Sequence, residues 1–263
     1  MPITGIFQNP VFIAYEKGYF NEEGLEVELA SFQSSSYMMP LLATGDLDLG
    51  FGQTGTDLIN AIHQGLDIKV VSPAAAYEKG YVSQKFLVRK DLYDSGQITE
   101  PADLEGAIIA TNVERGLIEF LTASILEMGG LTIDDIEFVT MAFSDMNVAL
   151  ANNAIDAAMM PEPLASMAAD TGDAVILYEM SEIYPGANTA VYYFGQRIIH
   201  LENREVGIRI LKALYKAMRE LYTQDGYNEE NINLITKYVN NPPEYVRDNR
   251  YYFSPTGEFD RSF

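Results

Sequence analysis

Short apolar runs alternate with amphipathic stretches along the whole chain, which is the pattern of an α/β protein. Apolar runs predict strands at residues 3–7, 47–51, 68–72, 81–89, 107–111, 136–140, 155–160, 174–177 and 189–194. Residues 25–29 read Leu-Glu-Val-Glu-Leu, and this strict alternation predicts a half-buried strand. Helical spacing marks residues 11–17, 37–43, 57–64, 114–128, 146–152 and 164–171, and two longer helices at 205–222 and 229–239. Gly18 and the pair Gly129-Gly130 supply helix stops. The tail from residue 251 has no clear period.

Two long strands, near 81–89 and 189–195, flank a self-contained α/β block. They predict two crossovers between lobes: a discontinuous first lobe of residues 1–80 plus 190–263, and a second of 81–189. In such an architecture a ligand is expected in the cleft where the strand carboxyl ends of both lobes meet.

Composition narrows the function. The 263 residues include 38 acidic and 17 basic side chains, a net charge of −21. Nucleic-acid binding needs a surplus of cations, so this class is excluded. Docking on an anionic membrane surface is disfavoured for the same reason. The absence of Cys removes disulfides, thiolate nucleophiles and thiolate metal sites. Two His leave little room for a His-based metal centre, and no metal or cofactor is expected. No run reaches the roughly 18 apolar residues that a membrane span needs, so membrane insertion is not expected. The first residues lack a basic segment and a cleavage site, so no secretory leader is expected in this chain.

Four segments, in order, resemble one known family. Phe12-Ile13-Ala14-Tyr15-Glu16-Lys17-Gly18-Tyr19-Phe20, followed by Glu23-Gly24-Leu25-Glu26-Val27, resembles A-x-E-K-G-[YF]-F-x-x-E-G-L-x-V. Leu41-Leu42-Ala43-Thr44-Gly45-Asp46-Leu47-Asp48 resembles L-x-x-G-x-[IL]-D. Pro101-Ala102-Asp103-Leu104-Glu105-Gly106 resembles P-x-D-L-K-G, and Ala157-Ala158-Met159-Met160-Pro161-Glu162-Pro163 resembles D-A-[AG]-x-x-x-E-P. These belong to the solute-binding proteins of the nitrate/sulfonate/taurine and thiamine-pyrimidine-precursor ABC importers. The resemblance implies an α/β periplasmic-binding-protein fold of the second type, with two lobes closing on a small molecule. It also implies delivery to an importer permease, a monomer, and an extracytoplasmic location, with the cytoplasm left open by the missing leader.

Each candidate binding residue has a plainer reading beside the functional one. Gln8 and Asn9 follow the first predicted strand; Asn9 can donate and accept, yet Asn9-Pro10 is also a simple turn. Ser34, Ser35, Gln53 and Thr54 precede helices, where hydroxyls and free N–H groups hold a ligand or merely cap. Asn112, Glu114 and Arg115 connect a strand to a helix. Arg115 can meet a carboxylate, phosphate or sulfonate, or be a surface charge early in the helix. Glu162 sits between two prolines after a strand. The resemblance gives it the ligand's amino group; the alternative is an acid stabilised by a helix N-terminus. Tyr77, Tyr81, Tyr184 and Phe12 can stack on a flat ligand or pack a lobe. His63 and His200 read as ordinary charge placements, and the methionines as core filler.

Three functions compete. A binding protein without chemistry is favoured, its ligand a heteroaromatic such as a thiamine pyrimidine precursor, with sulfonate, nitrate or a flavin-like ring as alternatives. Cytoplasmic enzymes of menaquinone or pyrimidine biosynthesis share the fold. The pyrimidine enzyme uses a Cys-rich motif that this chain lacks, and no general acid–base pair is visible. A regulator's effector domain would need a helix-turn-helix and a basic surface, and neither is present.

Overall fold

The structure, a computed structural model, describes residues 8–32, 37–53, 55–81, 84–114, 116–239 and 241–258. It divides into two compact units: unit 1, Met1–Tyr81 with Gly186–Phe263, and unit 2, Val82–Pro185. The expected strand at 3–7 and the candidates Ser34, Ser35, Thr54 and Arg115 lie outside the described residues, and of Gln53 only the backbone is described.

Unit 1 opens with helices α1 (Asn9–Glu16), α2 (Tyr19–Glu22) and α3 (Met38–Thr44), then strand β1 (Leu49–Gln53), helix α4 (Thr56–His63) and strand β2 (Lys69–Ala76). Unit 2 follows with β3 (Lys85–Arg89), α5 (Lys90–Asp94), β4 (Ile108–Thr111), α6 (Leu117–Met128), β5 (Glu137–Thr140), α7 (Phe143–Ala151), β6 (Ala157–Met160), α8 (Leu164–Asp170), β7 (Ala174–Glu179) and α9 (Met180–Ile183). The chain returns to unit 1 through β8 (Asn188–Phe194), α10 (Gln196–Ile199), α11 (Arg204–Tyr222), α12 (Glu229–Ile235), α13 (Pro243–Asp248) and β9 (Tyr252–Phe253).

The unit 1 sheet has the order β1-β8-β2-β9 and is antiparallel throughout. Its middle strand β8 is buried from Thr189 to Phe194, as a strand covered on both faces must be. Val191 and Tyr193, two residues apart, share a face with Met38, Met39, Leu42, Leu58, Ala61 and Ile68. Gly50 lies opposite Tyr193, and a Cβ there would stand 2.6 Å from the tyrosine ring, so the missing side chain makes room for the ring. Each such buried side chain contributes roughly 1.5–3 kcal/mol. Helix α11 buries Ile210, Ala213, Leu214, Ala217, Met218 and Leu221, the helical spacing that the sequence predicts.

The unit 2 sheet has the order β5-β4-β6-β3-β7. Strands β5, β4 and β6 are parallel, and β3 runs antiparallel to both β6 and β7. Leu87, Ala110, Ala158 and Met160 face a core completed by Met146 and Leu150 of α7 and Leu164, Ala165 and Ala168 of α8. This register brings the carboxyl ends of β4, β5, β6 and β7 and the amino end of β3 to one edge, because Lys85 pairs with both Met160 and Glu179.

Some expected elements differ. Residues 25–30 form no strand among the described residues, although Leu25, Val27 and Leu29 are half-buried and the acids between them exposed. Alternation requires only that one face rest on protein, not that the backbone pair. Strand β2 continues past Ser72 because Pro73 sits where its register against β8 shifts, a place where a missing N–H is tolerated. Helix α6 starts at Leu117, after Gly116 in extended conformation, and a Cβ on Gly116 would meet Val113 Cγ1 at 2.5 Å. Helices α10 and α13 and the two-residue β9 are too short to show a period.

Candidate functional site

Unit 2 collects its candidates along the strand-end edge. Asn112 follows β4, and its buried Oδ1 has no hydrogen-bond partner. Asn147, in the second turn of α7, donates Nδ2 to the Leu164 carbonyl at 3.3 Å, and its Oδ1 is likewise buried and unpartnered. Glu162 follows β6 and is fully buried. Its Oε1 accepts from Lys85 Nζ at 2.7 Å and from Ser166 Oγ at 2.8 Å, while Oε2 accepts the Ser166 N–H at 3.0 Å. Lys85 also reaches Glu179 at 3.3 Å. Burial pushes the Lys85 ammonium down, but the Glu162 bond and charge, joined by Glu179, outweigh burial and hold it above its ordinary value.

Both plain and functional features therefore meet in Glu162. It does accept at the start of α8, as a helix-terminal acid would, and its charge is matched by Lys85 within the unit. Lys85 and Asn147 were not singled out from the sequence. Lys85 reads as one of four polar residues in the strand predicted at 81–89, and its burial comes from the β6 and β7 pairing. Tyr184, just after α9, donates its hydroxyl to Ser124 Oγ at 2.7 Å and lies beside Phe120 with ring centroids 6.1 Å apart. Glu114 is exposed.

Unit 1 presents a second edge, where β1 and β2 end beside the start of β8: Gln53 pairs with Ala190, and Ala76 with Asn188 and with Tyr252 of β9. Asn9 is tied to this edge. Its Nδ2 donates to Tyr227 Oη at 3.4 Å, and Tyr227 also accepts the Tyr251 backbone N–H, one residue before β9. Burial raises the Tyr227 phenol well above its ordinary value, against the lowering effect of these donors. Asn9 is fully buried, and its Oδ1 has no partner. Gln8, half-buried, precedes α1, and its carbonyl accepts the Val11 N–H at 2.9 Å. Tyr77 is a core residue beside Tyr251, its phenol pushed well up by burial and then by that neighbour. Phe12 stacks on Tyr238 at 4.6 Å, inside the helix packing. Among the described residues no group of His, Cys, Asp and Glu is arranged to hold a metal, and no helix is long and apolar enough to cross a membrane.

A family model described as "NMT1/THI5 like" matches residues 8–235, most of the chain. The chain belongs to this family. No curated protein matches it. Among solved structures, the alkanesulfonate-binding protein SsuA of Xanthomonas axonopodis pv. citri, bound to MOPS, is 18% identical, with a TM-score of 0.76 over 94% of this chain and 82% of that one. The periplasmic aliphatic sulphonate-binding protein SsuA of Escherichia coli is 20% identical, with a TM-score of 0.77 over 95% of this chain and 77% of that one. The periplasmic nitrate-binding protein NrtA of Synechocystis PCC 6803 is 16% identical, with a TM-score of 0.76 over 92% and 66%. The family member described here shares the α/β periplasmic-binding-protein fold with these proteins.

Proposed function

We propose that the protein is the solute-binding component of an ABC importer, working outside the cytoplasmic membrane and passing a small molecule to a permease without chemical change. The observation that carries this reading is a pair of buried asparagine oxygens without partners, Asn9 Oδ1 and Asn112 Oδ1, one on the strand-end edge of each unit. Buried acceptors are ordinarily satisfied, and an unmet one is costly by about 1–3 kcal/mol. A solute carrying N–H or O–H donors would satisfy either oxygen. Family membership, and the sulfonate- and nitrate-binding proteins that share the fold, support the same class of function.

A flat heteroaromatic with an exocyclic amine, the class that includes the thiamine pyrimidine precursors, fits these acceptors. In this reading Glu162 contributes through its one lone pair not taken by Lys85 and Ser166. The test is a calorimetric and thermal-shift screen with aminopyrimidines, flavins, aromatic acids, alkanesulfonates and nitrate. A donor-bearing solute is expected to bind, and Asn112→Leu to weaken it by about 1–2 kcal/mol with the unfolding midpoint held. Binding of nitrate alone would sink the heteroaromatic reading. No binding by any of these classes would sink the transport reading itself.

A further inference from the structure

The unit 1 edge carries a cation that the sequence reading passed over. Arg250 lies between α13 and β9, two residues before Tyr252, which pairs with Ala76 at the end of β2. It is half-buried. Its guanidinium carbon stands 5.2 Å from the centroid of the Tyr227 ring, and its Nε donates to the Arg247 carbonyl at 3.3 Å. That leaves the two terminal NH2 groups with no acceptor among the described residues. No carboxylate oxygen among them lies within 4 Å of this guanidinium.

Among the described residues Lys69, Lys79, Arg204, Arg209 and Arg219 also lack a carboxylate within that distance, so what sets Arg250 apart is its surroundings. Lys17, Lys85, Arg89, Arg197, Lys237 and Arg247 all have a carboxylate partner. Around Arg250 the neighbours are aromatic instead. Tyr81 and Tyr252 meet edge to face at 5.4 Å, and Tyr222 meets Tyr252 at 5.9 Å. The one acid that bears on Tyr81 and Tyr252 is Glu78, which is exposed and outside ion-pair distance of Arg250. Tyr227 then links this cation to Asn9, since the ring under Arg250 bears the hydroxyl that accepts from Asn9.

We infer that Arg250 is the anion-binding residue of unit 1, holding a sulfonate or carboxylate group of the solute while the surrounding tyrosines take its flat or apolar body. A guanidinium held on a tyrosine face keeps its fork oriented, and a planar fork matches a carboxylate or sulfonate through paired N–H bonds. The solute so described carries a hydrogen-bond donor for the Asn9 oxygen and one acidic group for Arg250, both within unit 1. This inference rests on the solute-binding reading and adds the solute's charge to it.

The experiment is calorimetric titration of the full chain with benzenesulfonate and benzoate as anionic probes and aminopyrimidine as the uncharged one. The wild type is expected to bind an anion, more weakly as salt is raised. Arg250→Gln is expected to lose about tenfold or more of that affinity, and Arg250→Lys to recover part of it. If Arg250→Gln is poorly folded, the lysine variant and the salt dependence carry the test. Equal anion affinity in the wild type and Arg250→Gln, or an anion affinity that does not respond to salt, overturns the assignment and leaves the solute-binding reading standing. So does a wild type that binds aminopyrimidine but neither anion. A wild type that binds none of the probes overturns the assignment, and the broader screen then decides the transport reading.

Discussion

In unit 1 a group of ion pairs gathers at the C-terminal end of α1, away from the Asn9 end, while Arg197–Asp48 and Arg247–Glu229 lie elsewhere. Lys17 pairs with Glu220 at 2.6 Å, Tyr19 and Asn231 bond the same carboxylate, and Glu16 meets Lys237 at 2.5 Å and the Tyr238 hydroxyl. These groups clamp α1 to α11 and α12 and leave the strand-end edge with an uncompensated arginine. In unit 2 the arrangement is reversed. Its most buried ion pair, Lys85–Glu162, stands on the strand-end edge itself, with Lys85 12% and Glu162 0% exposed. The same residue types thus do different work. Charge at the unit 2 edge is matched from within and fixes side-chain position; charge at the unit 1 edge is left over and, in the proposal above, selects among solutes.

The largest effect should come from breaking the buried pair. Glu162→Gln leaves Lys85 desolvated with only the half-exposed Glu179 as counter-charge, which is expected to lower stability by about 3 kcal/mol. Replacing both partners by apolar residues, Lys85→Met with Glu162→Leu, should restore most of the loss, because no unpaired charge is then left inside. Urea denaturation measures both. A loss under about 1 kcal/mol for Glu162→Gln would mean that the pair is hydrated and that unit 2 differs little from unit 1. The Lys85 ammonium is held above its ordinary value of 10.5, so its contribution is complete below that pH and is lost as pH rises through the folded value.

A smaller effect is expected at the unit 1 clamp. Burial pushes Glu220 up, but bonds from Lys17, Tyr19 and Asn231 together outweigh it and hold the carboxyl below its ordinary 4.5. The folded form therefore binds its proton more weakly than the unfolded one. The stabilisation is complete above 4.5 and is lost as pH falls through the folded value. Glu220→Gln should cost roughly 1–2 kcal/mol at neutral pH. The gap between variant and wild type should close in acid. A gap that stays constant would show that the carboxylate's charge is not what clamps α1.

The sequence made the elements legible where periodicity is long or chain stops are strong. The nineteen-residue α11, the buried strand β8 and the glycine-ended α6 are close to where hydrophobic spacing puts them. The position of Asn112 was legible too, since a polar residue directly after a strand, here β4, falls at a sheet's carboxyl edge; the strand expected before Asn9 lies outside the described residues. Other features depend on contacts far apart in sequence and leave no local trace. Lys85 looks like any other polar residue of its predicted strand, such as Gln84 and Arg89, until β6 brings Glu162 beside it. Arg250 lies outside every predicted element, just before the tail without a period, and only the pairing of Tyr252 with Ala76 carries it to the unit 1 edge. The resemblance assigned Glu162 to an amine of the ligand; the charge that meets it within the chain is the ammonium of Lys85.

The smallest expected effect tests whether the two ends of the unit 2 sheet are independent. Glu100 and Asp103 form a capping box on the short turn Pro101–Leu104, which leads into the amino end of β4, opposite the Asn112 edge. Asp103 Oδ2 accepts the backbone N–H of Thr99 and Glu100 and the Thr99 hydroxyl. These donors hold its carboxyl below its ordinary 3.8, so the stabilisation is present above that pH and fades as pH falls through the folded value. Asp103→Asn should lower the unfolding midpoint slightly at neutral pH, because the cap lies at the surface and an amide oxygen still accepts. Solute affinity, measured by the same titrations, should not change. A change would mean that the turn at one end of β4 moves Asn112 at the other, and the unit 2 edge could not then be treated as a rigid surface fixed by Lys85 and Glu162.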